Sequence, residues 1–385
     1  MKSNYEPLGK HIQLVDYRNS EEVTSTVLGI SIDKEFMPSV ANVIGTDLSR
    51  YKLISKGLFA CNPMHVGRDE RLPIALYEKE SPAIVSPAYF MFEIIDRDVL
   101  NEEYLMMWFR RPEFDRECWF MTDGSVRGGI TWDDLCRIKL PVPSYARQCE
   151  IVESYRVITE RITLKRAEND NLEATAKTID KNRFEDFESY NGLQPASWKT
   201  VPLSSLAKNI VCGKTPPTDN PANYGGHIPF ITIPDMHGSV YTLQTSRFLS
   251  KAGVATQSNK TLPENAICVS CIATVGLVCL TAEPSQTNQQ INSIICREGV
   301  SPFYVYLKMT TLADYLKQLG AGGSTTLNVN KTLFGEIPVL YPDEESILIF
   351  HHEVAPLFEA IRSNQLEIQH LEELKSLVLM TLSSC

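Results

Sequence analysis

The residues most suggestive of chemistry lie at Gly213-Lys214-Thr215. Glycine, lysine and a hydroxyl in that order end the phosphate-binding loop GxxxxGK[ST], whose backbone N–H groups cradle a nucleotide. The loop needs a second glycine at position 208, and Lys208 stands there, so the cradle is not specified. Ser205-Leu206-Ala207-Lys208 fits SxxK without any supporting element of that hydrolase set. No GxGxxG, HExxH, GxSxG, nuclease-type [DE]xK arrangement or Asn-Pro-Pro-aromatic methylation motif occurs. Cys268 and Cys271 have CxxC spacing, with Cys279 further on, but a zinc site wants a second ligand pair in turn-like surroundings. Their neighbours Ile267, Val269, Ile272 and Val278 read as buried strand, so these are expected to be core thiols. His65 has no second His or Cys at metal-binding spacing, and His351-His352 are expected to be ordinary polar surface. The chain is therefore expected to be non-catalytic, with no metal and no cofactor of its own.

Whatever the polar loops do, two long helices must hold them. Ile151, Tyr155, Ile158, Ile162, Lys165, Asn169, Leu172, Ala176 and Ile179 are spaced alternately by four and three. So are Phe350, Val354, Leu357, Ile361, Asn364, Ile368, Leu371, Lys375, Val378 and Leu382. Both are coiled-coil seams, and two seams of similar length in one chain are most economically buried against each other. Lys165, Asn169 and Asn364 are polar seam residues of the kind that fix register. Pro356 must kink the second helix or mark its true start.

The repeat extends upstream of both helices. Leu140-Pro141-Val142-Pro143 precedes the first, and Ile337-Pro338-Val339-Leu340 precedes the second, 197 positions later. Pro7-Leu8-Gly9-Lys10 and Pro202-Leu203-Ser204-Ser205 open the two halves, offset by 195. Each half mixes short strand-like runs with one closing helix, from Tyr104 to Phe114 and from Pro302 to Leu319, which makes it α+β. The expected division is a first domain at 1–143, a spacer helix and linker at 144–190, a second domain at 191–341 and a second spacer helix at 342–385. The globular domains are expected to be separated by an antiparallel helix pair.

The chain has 385 residues, 43% hydrophobic and 22% charged, a composition of soluble globular proteins. No signal peptide or membrane span is read from it, and the cytoplasm is the expected compartment. The net charge of −10 argues against nucleic acid until it is mapped. The two helical segments carry eight of those surplus negative charges, while residues 191–340 are net +3. An acidic spine facing protein, with domains free to meet DNA, fits that distribution.

The stretch Gly213-Lys214-Thr215-Pro216, Tyr224-Gly225-Gly226 and Ile228-Pro229-Phe230-Ile231-Thr232 resembles the opening of a target-recognition domain of type I restriction–modification specificity subunits. So do Ser270-Cys271-Ile272-Ala273-Thr274-Val275-Gly276, Thr287-Asn288-Gln289-Gln290-Ile291-Asn292 and Gly323-Ser324-Thr325-Thr326. Tyr51-Lys52, Asn62-Pro63-Met64 and Ser86-Pro87-Ala88-Tyr89 resemble a second common variant in the first half. Two departures stand out: Phe230 where tryptophan is usual, and Pro342 to Ser346, which lack the Pro-to-Gln run approximated by Pro143 to Gln148.

The resemblance implies a non-catalytic reader of double-stranded DNA, with each domain recognising one half of a bipartite asymmetric site. Two modification (methyltransferase) subunits would bring S-adenosylmethionine and methylate adenine, and restriction subunits using ATP and Mg can join. A helix of about 35 residues is roughly 52 Å long, more than one DNA turn. Lys214, Thr215, Ser324, Thr325, Thr326 and Lys331 lie in small polar loops that can approach a DNA backbone. Asn288, Gln289 and Gln290 carry amides able to pair bidentately with adenine, or equally to brace their own loops. Asn62, His65, Arg68, Ser86, Tyr89, Ser125 and Arg127 are the matching picks in the first domain. The competing reading is a two-domain protein-interaction scaffold that never binds DNA.

Overall fold

The structure, a computed structural model, describes residues 5–40, 45–122, 128–321 and 327–382, without the His65 side chain. The chain divides into two compact units, residues 1–161 with 371–385, and residues 162–370.

In the first unit a two-stranded antiparallel ribbon pairs Tyr5–Pro7 with Lys139–Pro141. An antiparallel sheet follows in the order Ile12–Leu14, Phe90–Ile94, Phe59–Cys61, Ile74–Leu76. A mixed sheet runs Phe36–Pro38, Val27–Ile30, Ala83–Val85, Lys52–Ile54, with Val27–Ile30 parallel to Ala83–Val85. Phe59 and Phe92, facing each other across their strands, stack at 5.0 Å, and Phe109 meets both edge-on. The expected single helix from Tyr104 to Phe114 is two, Glu102–Phe109 and Pro112–Phe120. Proline cannot donate to the preceding turn and is at home at a helix start, so Pro112 sets the break.

The second unit repeats this plan. Its ribbon pairs Lys199–Pro202 with Pro338–Tyr341. A five-stranded sheet runs Ala207–Cys212, Ile291–Cys296, Ile267–Ser270, Val278–Thr281, Tyr241–Thr242, and a three-stranded one runs Phe248–Leu249, Tyr224–Ile231, Gln286–Thr287. The expected helix from Pro302 to Leu319 also divides, into Pro302–Thr311 and Ala313–Gly320. There the hydroxyls of Thr310 and Thr311 donate to the Leu307 and Lys308 carbonyls, which loosens the last turn.

The repeat reaches individual bonds. Leu8 N–H donates to Ile138 O at 2.8 Å, and Leu203 N–H to Ile337 O at 2.8 Å. Tyr104, buried in the closing helix of the first unit, donates its hydroxyl to Pro141 O, and Tyr304 does the same to Leu340 O in the second. Where the halves differ, the bracing differs too. Gln148, fully buried, holds the loop before the closing helix through Asn101 N, Val99 O and Pro143 O at 2.8–2.9 Å. In the second unit, Ser301 caps the closing helix and bonds His351 Nδ1 at 3.0 Å, while the His351 ring stacks on Phe303 at 5.5 Å. His351 is thus a half-buried bracing residue rather than polar surface; only His352 is exposed.

The long helices span Tyr145–Phe184 and Glu344–Thr381. Pro356 lies within the second, on its exposed face, so the helix begins well before it. Within the second unit, Phe184 meets Phe350 at 5.1 Å while Lys165 bonds Asn364, so the helices run antiparallel. Within the first unit, Leu382 and Val378 share a core with Ile151 and Tyr155. The linker after Phe184 is packed: Phe184, Phe187 and Tyr190 all contact Trp198.

Candidate nucleic-acid interface

In the second unit four polar segments are stitched edge to edge. The strand Ala207–Cys212 carries on beyond its end: Gly213 N donates to Ile291 O at 3.2 Å, and Lys214 N to Thr287 O at 3.0 Å. A Cβ at Gly213 would sit 2.1 Å from Asn288 O and 2.3 Å from Thr287 Oγ1, so only glycine allows this approach. Lys260 Nζ donates to Cys212 O at 2.6 Å and pins the segment from the other side. Next, Cys271 N donates to Gln290 O at 2.8 Å, and Val329 N to Cys271 O at 2.9 Å. Asn292, buried, donates its amide to Val329 O at 3.1 Å. Asn330 then caps the short helix Lys331–Gly335. Lys214, Thr215, Asn288, Gln289, Gln290 and Lys331 therefore belong to one connected set of loops.

The side chains on that face are unequal. Lys214, Gln289 and Lys331 are exposed, and Thr215 and Gln290 are half-buried. Thr215 donates its hydroxyl to Gln289 Oε1 at 2.8 Å. Asn288 is 7% exposed; its Oδ1 accepts from Gln290 N at 3.0 Å, and its Nδ2 donates to Gln290 Oε1 at 2.9 Å. Asn288 thus braces the loop and offers its own amide to nothing outside it. Beneath lies Gln286, buried, whose amide donates to Thr261 Oγ1 and the Val254 and Gln257 carbonyls and accepts from Gln257 Nε2 at 2.7 Å. Gln257, Lys260 and Gln286 were not expected at this site, because lone polar residues in loops carry no periodic signal. Ala273, at φ +64° in the 270–276 loop, is a further exposed residue there, held in a conformation L-residues avoid. Phe230 fills its place: it is fully buried, with Arg247 over its ring at 5.4 Å.

In the first unit Asn62 caps the turn Pro63–His65 by accepting from Met64 N at 3.2 Å. Burial pushes the Tyr89 phenol up from its ordinary value. Ser86 Oγ accepts from Ala88 N at 3.2 Å, and Tyr89 N donates to Ser86 O, which makes 86–89 a tight turn. Ser86 and Tyr89 are thereby brought together in one turn, with the Asn62 side chain beside the Tyr89 phenol. Arg68 is exposed on the following helical turn, held to Asp69 at 2.7 Å. Gly67 N donates to Gly128 O, so the segment after residue 127 returns to this turn. Ser125, Arg127, Ser324, Thr325 and Thr326 lie outside the described residues, as does the His65 side chain.

Cys268 and Cys279 lie directly opposite each other in paired strands, both fully buried, while Cys271 belongs to the core on the other side of the sheet. Among the described residues no group of three His, Cys, Asp or Glu side chains could hold a metal ion, and no helix is long and apolar enough to cross a membrane.

Residues 195–376 match the family model for the type I restriction modification DNA specificity domain. That match covers slightly less than half of the chain. The chain is 46% identical over 187 residues to the type I restriction enzyme HindI specificity subunit of Haemophilus influenzae, covering 48% of this chain and 40% of that protein. It is 29% identical over 158 residues to the type I restriction enzyme MjaIX specificity subunit of Methanocaldococcus jannaschii, covering 40% and 36%. The chain thus spans well under two thirds of these relatives' lengths. The crystal structure of a type I restriction–modification S subunit from M. genitalium matches with a TM-score of 0.62 at 14% identity, covering 99% of this chain and 96% of that one. The helix-and-sheet fold of this chain is thus similar to that of this S subunit.

Proposed function

We propose that this chain is the DNA sequence-specificity subunit of a type I restriction–modification complex. The type I specificity domain at residues 195–376 carries that reading. The first half extends it, because its ribbon, closing helix and Tyr104 bond repeat the ribbon, closing helix and Tyr304 bond of the second. Two domains on one plan with different loop sequences suit a bipartite, asymmetric site in double-stranded DNA. Backbone contacts from Lys214 and Lys331 would set position, and side chains at the loop tips would read base edges.

Methyl transfer and cleavage would then belong to partners. Two modification subunits would supply S-adenosylmethionine and methylate an adenine in each half-site, and restriction subunits would supply ATP-driven, Mg-dependent cleavage. The cytoplasm, where DNA and these cofactors are found, is the compartment that suits this role.

The test is to co-express the chain with its modification partner in a methylation-free host and sequence the methylome. A bipartite motif methylated only when both proteins are present is expected. A protein partner bound with no sequence-dependent DNA binding or methylation would favour the interaction scaffold. Methylation by the purified chain alone would overturn the non-catalytic assignment.

A further inference from the structure

Gln290 cannot choose its orientation. Its backbone N–H, which can only donate, points at Asn288 Oδ1 at 3.0 Å. That fixes which end of the Asn288 amide is oxygen, so the other end is the NH2 group, and it lies 2.9 Å from the Gln290 side chain. A donor must meet an acceptor, so Gln290 presents Oε1 inward and its own NH2 is the end left over. Gln289 is turned in the same sense, its Oε1 accepting from the Thr215 hydroxyl at 2.8 Å, a contact that orients the amide without fixing it as the Asn288 bonds fix Gln290. Neither glutamine NH2, nor the exposed Lys214 ammonium, has a hydrogen-bond partner among the described residues. Acceptors are consumed within the loop and donors are left facing out.

We infer that this face of the second domain reads guanine. In the major groove guanine alone offers two neighbouring acceptors, N7 and O6, whereas adenine offers one acceptor beside one donor. A glutamine that pairs bidentately with adenine needs its amide oxygen free alongside its nitrogen. In Gln289 and Gln290 that oxygen is already turned to a neighbour, so the adenine pairing expected from residue type alone is disfavoured. This inference rests on the specificity-subunit reading and adds the base chemistry of one half-site.

The complex of the full chain with its modification partner would be titrated with duplexes carrying the methylome motif, with 7-deazaguanine replacing each guanine in turn. At one guanine, loss of N7 is expected to weaken the wild type about tenfold or more, and to weaken Gln290→Ala no further. Gln290→Glu keeps the inward oxygen for Asn288 and replaces the outward NH2 by an acceptor; it is expected to reject that guanine and accept cytosine there. If Gln290 variants do not fold, Thr215→Val supplies the second arm: it frees Gln289 and is expected to reduce discrimination of guanine against adenine. Equal sensitivity of wild type and variants at every guanine, or unchanged discrimination in Thr215→Val, would overturn the inference. A bipartite motif with no guanine coupled to these residues sinks this inference alone, whereas absence of any motif sinks the function on which it rests.

Discussion

Lys165 and Asn364 meet inside the helix pair, Nζ donating to Oδ1 at 2.8 Å, and the same Asn364 amide donates to Asn169 Oδ1 at 3.0 Å. Asn364 is 6% exposed, and Glu367 stands 3.7 Å from Lys165, so three seam positions form one polar layer among apolar ones. A slipped register would leave these groups buried and unpaired, which is how polar seam residues select one alignment. Asn364→Leu is expected to lose about 1–3 kcal/mol in urea denaturation, because Lys165 and Asn169 lose a buried partner. Unchanged stability would show that the layer sets nothing.

The buried pair Asp180–Lys308, at 2.8 Å, fastens the first long helix to the closing helix Pro302–Thr311. Asp180 Oδ1 has no hydrogen-bond partner, and burial outweighs the Lys308 charge, so its carboxyl titrates above the ordinary aspartate value. A folded-state value raised above the unfolded one gives a contribution present in acid and lost as pH rises through the folded value. Asp180→Asn is therefore expected to flatten the fall in stability over the range just above the ordinary aspartate value. Lys308→Met, which strands the carboxylate, is expected to cost about 3–5 kcal/mol at neutral pH. Thermal melts across the acid-to-neutral range read both.

Much of this scaffold is legible in the sequence. All named seam positions of both helices are buried or half-buried, because a 3.5-residue period has one solution. The strands at Ala266 to Ser270 and Ile291 to Cys296 also stand where their β-branched runs put them. Phe358, fully buried, was missed: it lies off the seam and stacks on Phe303 at 4.3 Å, a contact set by the domain and not by the helix period. The site was legible only as residue types. That Asn288 turns inward while Gln289 points out follows from backbone bonds between loops distant in sequence, and no local pattern encodes those.

Gly213 is a point of close backbone approach on the second-domain face. Gly213→Ala would drive a methyl into the Asn288 carbonyl, and the backbones must part. A loss of about 1–3 kcal/mol is expected by thermal melt, with weakened recognition of one half-site and the other intact. A variant as stable and as selective as wild type would show that the two loops need not touch.

Lys214→Ala is expected to weaken DNA binding on all sequences alike and to lower the salt slope by about one, as loss of one phosphate contact does. Binding isotherms at several salt concentrations on specific and scrambled duplexes read this. Loss confined to the specific duplex would make Lys214 a base reader instead.

The most direct measurement exchanges residues 198–340 for the corresponding domain of a type I specificity subunit, leaving both long helices untouched, and reads the methylome. One half-site is expected to change while the other half-site and the spacer stay as they were. Both half-sites changing together, or a spacer that shifts without any edit to the helices, would contradict two independent readers on one scaffold.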